Sequence, residues 1–344
     1  MSDSILITGT AGFIGFHLAR RLLDDGDHTI LGFDNLNDYY PVSIKRSRVE
    51  ILKAFGDRYI DIEGDLADLG ALQRAFQEHR PTLVCNLAAQ AAVRHSLRFP
   101  FTYQRSNIEG FLGILECCRH HEVRRLVYAS SSSVYGKTEK LPFAETDRVD
   151  VPVSLYGATK KANELMAHCY SHLYNFQTIG LRFFTVYGPW GRPDMGMWIF
   201  AEKILRGDAI PVFNQGRMKR DFTYIDDIIS GLVNSLFVDG LEPYEIFNLG
   251  NSRCEELMAM IGILEQAVGK SAKLEMLPAQ PGDVVATFAD VTRATEKLGY
   301  SPTTPISEGI PKFCEWYLAH PAIANEAAEW RRTQTQRGAA EASV

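Results

Sequence analysis

Short apolar runs alternate with longer amphipathic segments through the first half of the chain. The apolar runs predict buried strands at residues 5–8, 28–33, 58–62, 82–87, 124–130 and 177–182. Apolar positions at helical spacing between them predict helices at 13–24, 41–55, 68–78, 105–120 and 156–174. This alternation predicts an α/β fold, a Rossmann-type doubly wound parallel sheet with helices on both faces and ligands at the carboxyl ends of its strands.

Beyond residue 182 the pattern becomes irregular, with glycine and proline in VYGPWGRPDMG and LPAQPGD. We predict a Rossmann domain over residues 1–184 and about 221–250, since a helix-like segment at 222–237 and the strand EIFNLG return to it. Residues 185–220 and 251–320 would form a smaller C-terminal lobe. Residues 321–344 have no packing pattern and are predicted to form a flexible tail or loose helix.

The amino-acid composition indicates which broad classes of protein this chain can belong to. Apolar residues make up 46% and charged residues 23% of 344, as in a soluble globular enzyme. The net charge of −6 argues against nucleic acid or an anionic membrane surface as partner. No apolar run approaches about 18 residues, and the early first strand leaves no room for a signal peptide. Six cysteines without metal-ligand spacing favour a reduced, cytoplasmic protein that holds no metal.

The segment ILITGTAGFIGFHLARRLLDDG predicts a dinucleotide site. Gly9, Gly12 and Gly15 follow the first strand and open the first helix, where they allow a tight turn and close approach to a pyrophosphate. Asp34 ends the second strand, nineteen residues after Gly15. A carboxylate there accepts hydrogen bonds from the adenosine ribose and repels a 2′-phosphate, so NAD is predicted rather than NADP.

Tyr156 and Lys160, in SLYGATKKANEL, are predicted to be the residues that remove a proton from the substrate. Tyrosine is a poor base at neutral pH, because its pKa is near 10. A lysine ammonium one helical turn away lies on the same face and favours the phenolate, which could then take a proton from a sugar or alcohol hydroxyl. The spacing gains weight from the dinucleotide motif and from the serine cluster in YASSSSVYG upstream.

These motifs together resemble the extended short-chain dehydrogenase/reductase family, and more narrowly its bacterial UDP-glucuronate 4-epimerases. The resemblance covers about residues 4–318 and is carried by GFDNLNDYYPVS, NLAAQAAVRHS, YASSSSVYG, SLYGATKKANELMAHCYSHLY, LRFFTVYGPWGRPDM, FNQGRMKRDFTYIDDI and PAQPGDVVATFADV. It implies a small nucleotide-sugar-binding lobe, bound NAD, a UDP-sugar substrate and a homodimer formed through helices near 105–120 and 156–174. Phe16 departs from the family pattern, in which a small serine is usual.

The resemblance also implies a role for each matching residue. Tyr156, Lys160 and Ser131 would be catalytic. The NAD site would comprise Gly9, Gly12, Phe13, Ile14 and Gly15 at the pyrophosphate, Asp34, Asn35 and Asn37 at the adenosine ribose, Asp65 and Leu66 beside the adenine, and Ala88 and Ala89 along the channel, with Tyr156 and Lys160. The substrate site would comprise Ser131, Ser132, Ser133 and Thr185 at the sugar, Arg94 near it, Arg192, Arg220 and, more weakly, Arg217 at the phosphates, and Asp283 and Phe213 at the uridine.

The reaction type depends on the step after oxidation of the sugar at C4. Dehydratases of this fold place Asp-Glu where this chain has Ser132 and Ser133, and decarboxylases commonly place a glutamate at the second position. Serines cannot supply that acid–base chemistry. They and Thr185, where relatives acting on neutral sugars often have asparagine, suit a carboxylated sugar. The implied activity is NAD-dependent 4-epimerisation of UDP-glucuronate to UDP-galacturonate through a transient 4-keto sugar, without decarboxylation.

Three alternatives stay open at this point. The chain could be a 4-epimerase of neutral UDP-sugars such as UDP-glucose or their N-acetyl forms. It could instead be a UDP-glucuronate decarboxylase. A non-catalytic NAD-binding sensor is a remote alternative, since such proteins usually lose the tyrosine or lysine that is present here.

Overall fold

A computed structural model describes residues 3–279 and 286–341 of the chain. Its strands are β1 Ser4–Thr8, β2 Thr29–Asp34, β3 Tyr59–Glu63, β4 Leu83–Asn86, β5 Arg125–Ser131, β6 Gln177–Phe183, β7 Thr185–Tyr187, β8 Ala209–Val212, β9 Lys219–Arg220, β10 Phe222–Tyr224, β11 Tyr244–Leu249, β12 Glu255–Glu256 and β13 Lys273–Met276. Seven of them form one parallel sheet in the order β11-β6-β5-β4-β1-β2-β3. The predicted Rossmann-type fold is confirmed.

The helices surround this sheet and extend into the second half of the chain. They are α1 Phe13–Asp25, α2 Val42–Lys53, α3 Leu69–His79, α4 Val93–Arg98, α5 Pro100–Tyr103, α6 Gly110–His120, α7 Leu155–Tyr174, α8 Gly196–Arg206, α9 Ile225–Phe237, α10 Leu257–Val268, α11 Thr292–Leu298, α12 Ile306–Ala319 and α13 Pro321–Glu341. The helix predicted over 105–120 is a π-helical turn, Gln104–Glu109, that continues into α6. Within the described ranges, none of the helices combines the length and apolar character needed to cross a membrane.

The core lies on both faces of the sheet, because successive strand side chains point to opposite sides. Ile5 and Ile7 pack with α1, α2 and α9 on one face, whereas Leu6 packs with α3 and α6 on the other. Phe16, the departure from the family pattern, is fully buried on α1 and contacts Trp190 with ring centroids 5.7 Å apart. The large side chain is therefore accommodated as core packing.

The second half of the chain adds smaller sheets beside the main one. Strands β8 and β13 pair in parallel, as do β7 and β10, while β9 and β12 pair antiparallel. Strand β11 pairs with β6, so residues 244–249 lie at the edge of the central sheet. The boundaries between the two predicted lobes stay a prediction.

The four tryptophans all lie in this half of the chain. Trp190 and Trp198 each contact Trp316, with ring centroids 5.2 and 5.5 Å apart, and His320 stacks on Trp316 at 4.9 Å. They join α8 and α12 to the segment that follows β7.

The C-terminal segment, predicted to form a flexible tail or loose helix, contains helix α13. Helix α13 packs Ala327 into the core, and Arg331 donates to the carbonyl of Pro193 at 2.6 Å and forms an ion pair with Glu202. Arg331 and Glu202 thus tie α13 to α8, a contact between distant residues that composition alone did not reveal. The six cysteines are free thiols: Cys85, Cys117, Cys118, Cys169, Cys254 and Cys314.

Candidate active site

A large cavity opens at the carboxyl ends of the strands of the central sheet. Its volume is about 670 Å³. It brings together every residue predicted at the NAD site and most of those predicted at the substrate: Gly9, Gly12, Phe13, Ile14, Gly15, Asp34, Asn35, Asn37, Asp65, Leu66, Ala88, Ala89, Arg94, Ser131, Ser132, Ser133, Tyr156, Lys160, Thr185 and Arg192. Positions far apart in sequence therefore share one cavity because the parallel strands end at a common edge.

The three glycines leave a cradle that side chains would fill. A Cβ on Gly9, whose φ is +77°, would lie 2.8 Å from the amide nitrogen of Ala88. On Gly12 and Gly15 it would lie 2.9 and 2.1 Å from the carbonyl oxygen of Gly9. Gly12 precedes α1 and, with Phe13 and Ile14, lines the cavity, so the N-terminus of that helix can accommodate an anion there. The cradle fits a dinucleotide pyrophosphate.

Asp34 holds the glycine loop at the end of β2. Its carboxylate accepts from the backbone amides of Ala11 at 3.1 Å and Leu36 at 2.9 Å. Burial raises the pKa of Asp34, and nearby Lys45 acts against that rise. Lys45 in turn donates to the side chain of Asn37 at 2.9 Å. These groups form a polar wall where the sequence predicts the adenosine ribose, so the residues present fit NAD.

Tyr156 and Lys160 lie on the first turns of α7, against the end of β5. Burial raises the pKa of Tyr156, and the Ser131 hydroxyl and the Arg192 guanidinium act against that rise. Burial lowers the pKa of Lys160 to about 8, and its Nζ donates to the carbonyl of Ala129 at 2.8 Å. The lysine is therefore fixed to the strand that carries Ser131.

The serine cluster turns tightly after β5. Ser131 ends the strand and caps the 3₁₀ turn Ser132–Tyr135, because its Oγ accepts from the amide of Ser133 at 3.1 Å. The same Oγ donates to the Ser133 hydroxyl at 3.2 Å. Ser130 differs, since its hydroxyl donates to Glu164 at 2.7 Å. The cluster thus contains structural and cavity-lining hydroxyls side by side.

Arg192 lines the cavity and forms an ion pair with Asp194. It donates to the Asp194 carboxylate from Nε at 3.0 Å and from Nη2 at 2.5 Å. Burial alone would raise the pKa of Asp194, but the guanidinium outweighs it and holds that pKa below its ordinary value. Tyr39 donates to the same carboxylate at 3.0 Å.

Of the other predicted substrate residues, Phe213, Arg217 and Arg220 are described by the structure and lie outside the cavity lining. Phe213 does not line the cavity, but the Arg94 guanidinium lies 5.4 Å from its ring centroid, so it adjoins the wall. Arg217 is exposed after the 3₁₀ turn Phe213–Gly216, and Arg220 on β9 also lies outside the cavity lining. Asp283 falls outside the described residues. The cavity as described therefore accounts for the NAD and sugar ends of the predicted site better than for the uridine end.

Several residues of the site were missed by the sequence analysis. Tyr39, Lys45 and Asp194 line the cavity, and Arg48 lies fully buried behind it. Asp194 could have been predicted as a carboxylate two residues after Arg192. Lys45 and Arg48 could have been predicted as cations on the apolar face of α2. Among the residues the structure describes, no group of three or more His, Cys, Asp or Glu side chains is placed to hold a metal.

The chain matches a known protein family over most of its length. Residues 5–250 match the NAD dependent epimerase/dehydratase family, which is well over half of the chain. The chain belongs to this family. Its NAD dependence confirms the cofactor that was predicted from the glycine loop and Asp34.

Individual members of the epimerase/dehydratase family are similar over nearly all of the chain. UDP-glucuronate 4-epimerase 2 of Arabidopsis thaliana is 44% identical over 333 residues, which cover 92% of this chain and 76% of that protein. The crystal structure of a Bacillus cereus UDP-glucuronic acid 4-epimerase, with UDP-glucuronic acid and NAD, is 33% identical with a TM-score of 0.86 and covers 91% of this chain and 98% of its own. A UDP-glucose 4-epimerase of Thermotoga maritima, with UDP-glucose, is 31% identical with a TM-score of 0.83 and covers 92% and 99%.

Proposed function

We propose that this protein is an NAD-dependent isomerase that converts UDP-glucuronate to UDP-galacturonate. The observation that carries the proposal is the chemistry of the cavity wall around Tyr156. Of the described lining residues, the carboxylates are Asp34, Asp65 and Asp194. The first two lie at the predicted adenosine end and the third is paired with Arg192. The serine cluster therefore supplies hydroxyls where dehydration would need acids.

Tyr156 is the proposed base and acid at the C4 hydroxyl. When bound, NAD supplies a reversible hydride acceptor for that carbon. Its positive ring and the Lys160 ammonium would both favour the phenolate, which the buried tyrosine otherwise disfavours. Ser131, in contact with Tyr156, would hold the reacting oxygen. Tyr156 takes the proton from the C4 oxygen and later returns a proton to that oxygen, while the hydride lost from C4 is also restored, so the cycle consumes no second substrate.

The hydroxyl groups are proposed to hold the sugar carboxylate. A 4-keto uronate is a β-keto acid, which loses carbon dioxide when the bond to its carboxylate aligns with the ketone. Ser132, Ser133 and Thr185 line one cavity with Tyr156, so donors from two separate segments can fix that group in another orientation. The identity of 44% to a UDP-glucuronate 4-epimerase supports this substrate class.

The test is product analysis with purified protein. UDP-glucuronate and UDP-glucose are each incubated with the protein, and the products are resolved by NMR. Conversion of UDP-glucuronate to UDP-galacturonate with little turnover of UDP-glucose is expected. Equal turnover of UDP-glucose would contradict the carboxylate assignment and favour the activity named for the Thermotoga maritima relative. A pentose product would show decarboxylation.

We further propose that two copies of the chain pair through α6 and α7. Of the apolar residues on these two helices, Phe111, Leu115, Met166 and Tyr170 pack in or against the core, whereas Leu112 and Leu165 are exposed. Leu165 is 57% and Leu173 65% exposed, and their spacing places them on one face of α7. A second copy would bury this face.

Light scattering during size exclusion tests the pairing. Leu165→Glu is expected to produce monomers, because a charge would be buried in the interface. The control is Leu318→Glu, which changes an exposed leucine on α12 and should leave the mass unchanged. A wild-type monomer would contradict the proposal.

The free thiols support action in the reducing cytoplasm.

A further inference from the structure

A buried ion pair lies directly behind the proposed catalytic face. Glu164 and Arg182 expose 1% and 3% of their side chains. The pair is bidentate: Arg182 donates from Nε at 2.8 Å and from Nη2 at 2.9 Å. Neither residue lines the cavity, so the pair is not part of the site described above.

The position of Glu164 links it to the residues that react. Tyr156, Lys160 and Glu164 are four residues apart on α7 and therefore share the helix face that packs on the sheet. Lys160 donates to the carbonyl of Ala129, and Ser130 donates to Glu164 at 2.7 Å. Two consecutive residues at the end of β5 are thus bonded to two consecutive turns of α7.

Arg182 extends the same connection to the neighbouring strand. It is the register partner of Ser130 across β5 and β6, so both reach Glu164 from adjacent strands. Its Nη1 donates to the Tyr135 hydroxyl at 3.0 Å, and Tyr135 donates to Asn248 on β11 at 2.7 Å. The network therefore spans three strands and the turn that follows Ser131.

We infer that Glu164, with Arg182 and Ser130, is a positioning residue that holds the end of β5 in register with the first turns of α7. The inference rests on the proposed function, since Ser131 lies on the strand and Tyr156 and Lys160 on the helix. Loss of the link would let the strand end shift relative to the helix. The distance between Ser131 and Tyr156 would then no longer be fixed.

Glu164→Gln tests the inference, with Glu245→Gln as a matched control. Glu245 is equally buried on β11, but its side chain forms ion pairs with Arg293 and Lys297 of α11 rather than bonds to β5. Both changes remove one buried carboxylate charge. Glu164→Gln is expected to lower kcat about 10–100-fold with KM nearly unchanged, as a small misplacement of reacting groups does. Glu245→Gln should lower Tm but leave kcat per folded molecule unchanged.

A second measurement does not depend on turnover. Amide hydrogen exchange at residues 129–131 is expected to rise at least tenfold in Glu164→Gln and to stay unchanged in Glu245→Gln. Should Glu164→Gln fail to fold, Ser130→Ala keeps the ion pair and should give the same pattern more weakly. Exchange and kcat equal to those of the wild type in these variants would overturn the inference. A wild type inactive on UDP-glucuronate would instead refute the proposed function, leaving the exchange result to decide the inference.

Discussion

Replacing Arg48 by Met would remove a fork of donors that joins the glycine loop to the segment after β7. Arg48 lies on α2 and is fully buried. Its Nη1 donates to the carbonyl of Ala11 at 2.7 Å and to the Tyr40 hydroxyl at 2.7 Å, and its Nη2 donates to the carbonyl of Trp190 at 2.7 Å. Methionine fills similar space and supplies no donor, so two buried carbonyls lose their partner.

The expected loss of stability follows from these contacts. A hydrogen bond from a charged group contributes about 1.5–3 kcal/mol, so the bonds to the two carbonyls together contribute about 3–6 kcal/mol. Methionine also avoids the cost of burying a charge, which offsets part of that loss. We expect a net destabilisation of about 2–4 kcal/mol, which lowers Tm by about 3–6 °C for a chain of this length. Because Ala11 lies in the glycine loop, retention of NAD should fall as well.

Thermal unfolding and the NAD content of the purified protein measure both effects. Arg21→Met is the control, because Arg21 forms an exposed pair with Asp25 and such pairs contribute about 0–1 kcal/mol. Arg48→Lys should resemble Arg48→Met, since a single ammonium cannot span both carbonyls. The reasoning is refuted if Arg48→Met keeps the Tm and NAD content of the control.

Three further predictions concern the site and its cradle. Tyr156→Phe should lower kcat about 10²–10⁴-fold with NAD still bound; turnover within tenfold of the wild type, measured by NMR, would exclude the tyrosine as base. Gly15→Ala should lower the free energy of unfolding by about 1–3 kcal/mol in thermal denaturation, because the new Cβ would lie 2.1 Å from the Gly9 carbonyl oxygen. The control Gly262→Ala, in open space on α10, should raise it by about 0.5–1 kcal/mol. Burial lowers the pKa of Lys160 to about 8, so the ammonium is present below that pH and kcat should fall as pH rises through it; a rate unchanged up to pH 10 would contradict this.

The sheet and the glycine loop could be predicted because their signals are local. Buried parallel strands appear as short apolar runs, and the bounds of β1 to β6 agree with the predicted ones to within about two residues. The spacing of Tyr156 and Lys160 on one helix likewise fixes their common face. Features of this kind can be predicted without knowing which distant parts of the chain they contact.

Other features depend on contacts that spacing does not encode. Glu164 and Arg182 are charged residues in otherwise apolar surroundings, and only the register of β5 with β6 brings them to Ser130. Arg217 and Arg220 were assigned to the phosphates by position in a motif, and this stays a prediction, since both follow the irregular turn at Phe213–Gly216 and lie outside the cavity lining. Side-chain placement in the irregular half of the chain therefore required the structure.

The cluster of indole rings gives this molecule a built-in optical signal. All four tryptophans follow residue 185, and Trp190 contacts Phe16 on the helix that begins at the glycine loop. Intrinsic emission excited at the indole band therefore reports on the C-terminal half and leaves the central sheet silent. A denaturation followed by this emission and by far-ultraviolet dichroism would show directly whether the two halves come apart together or in sequence.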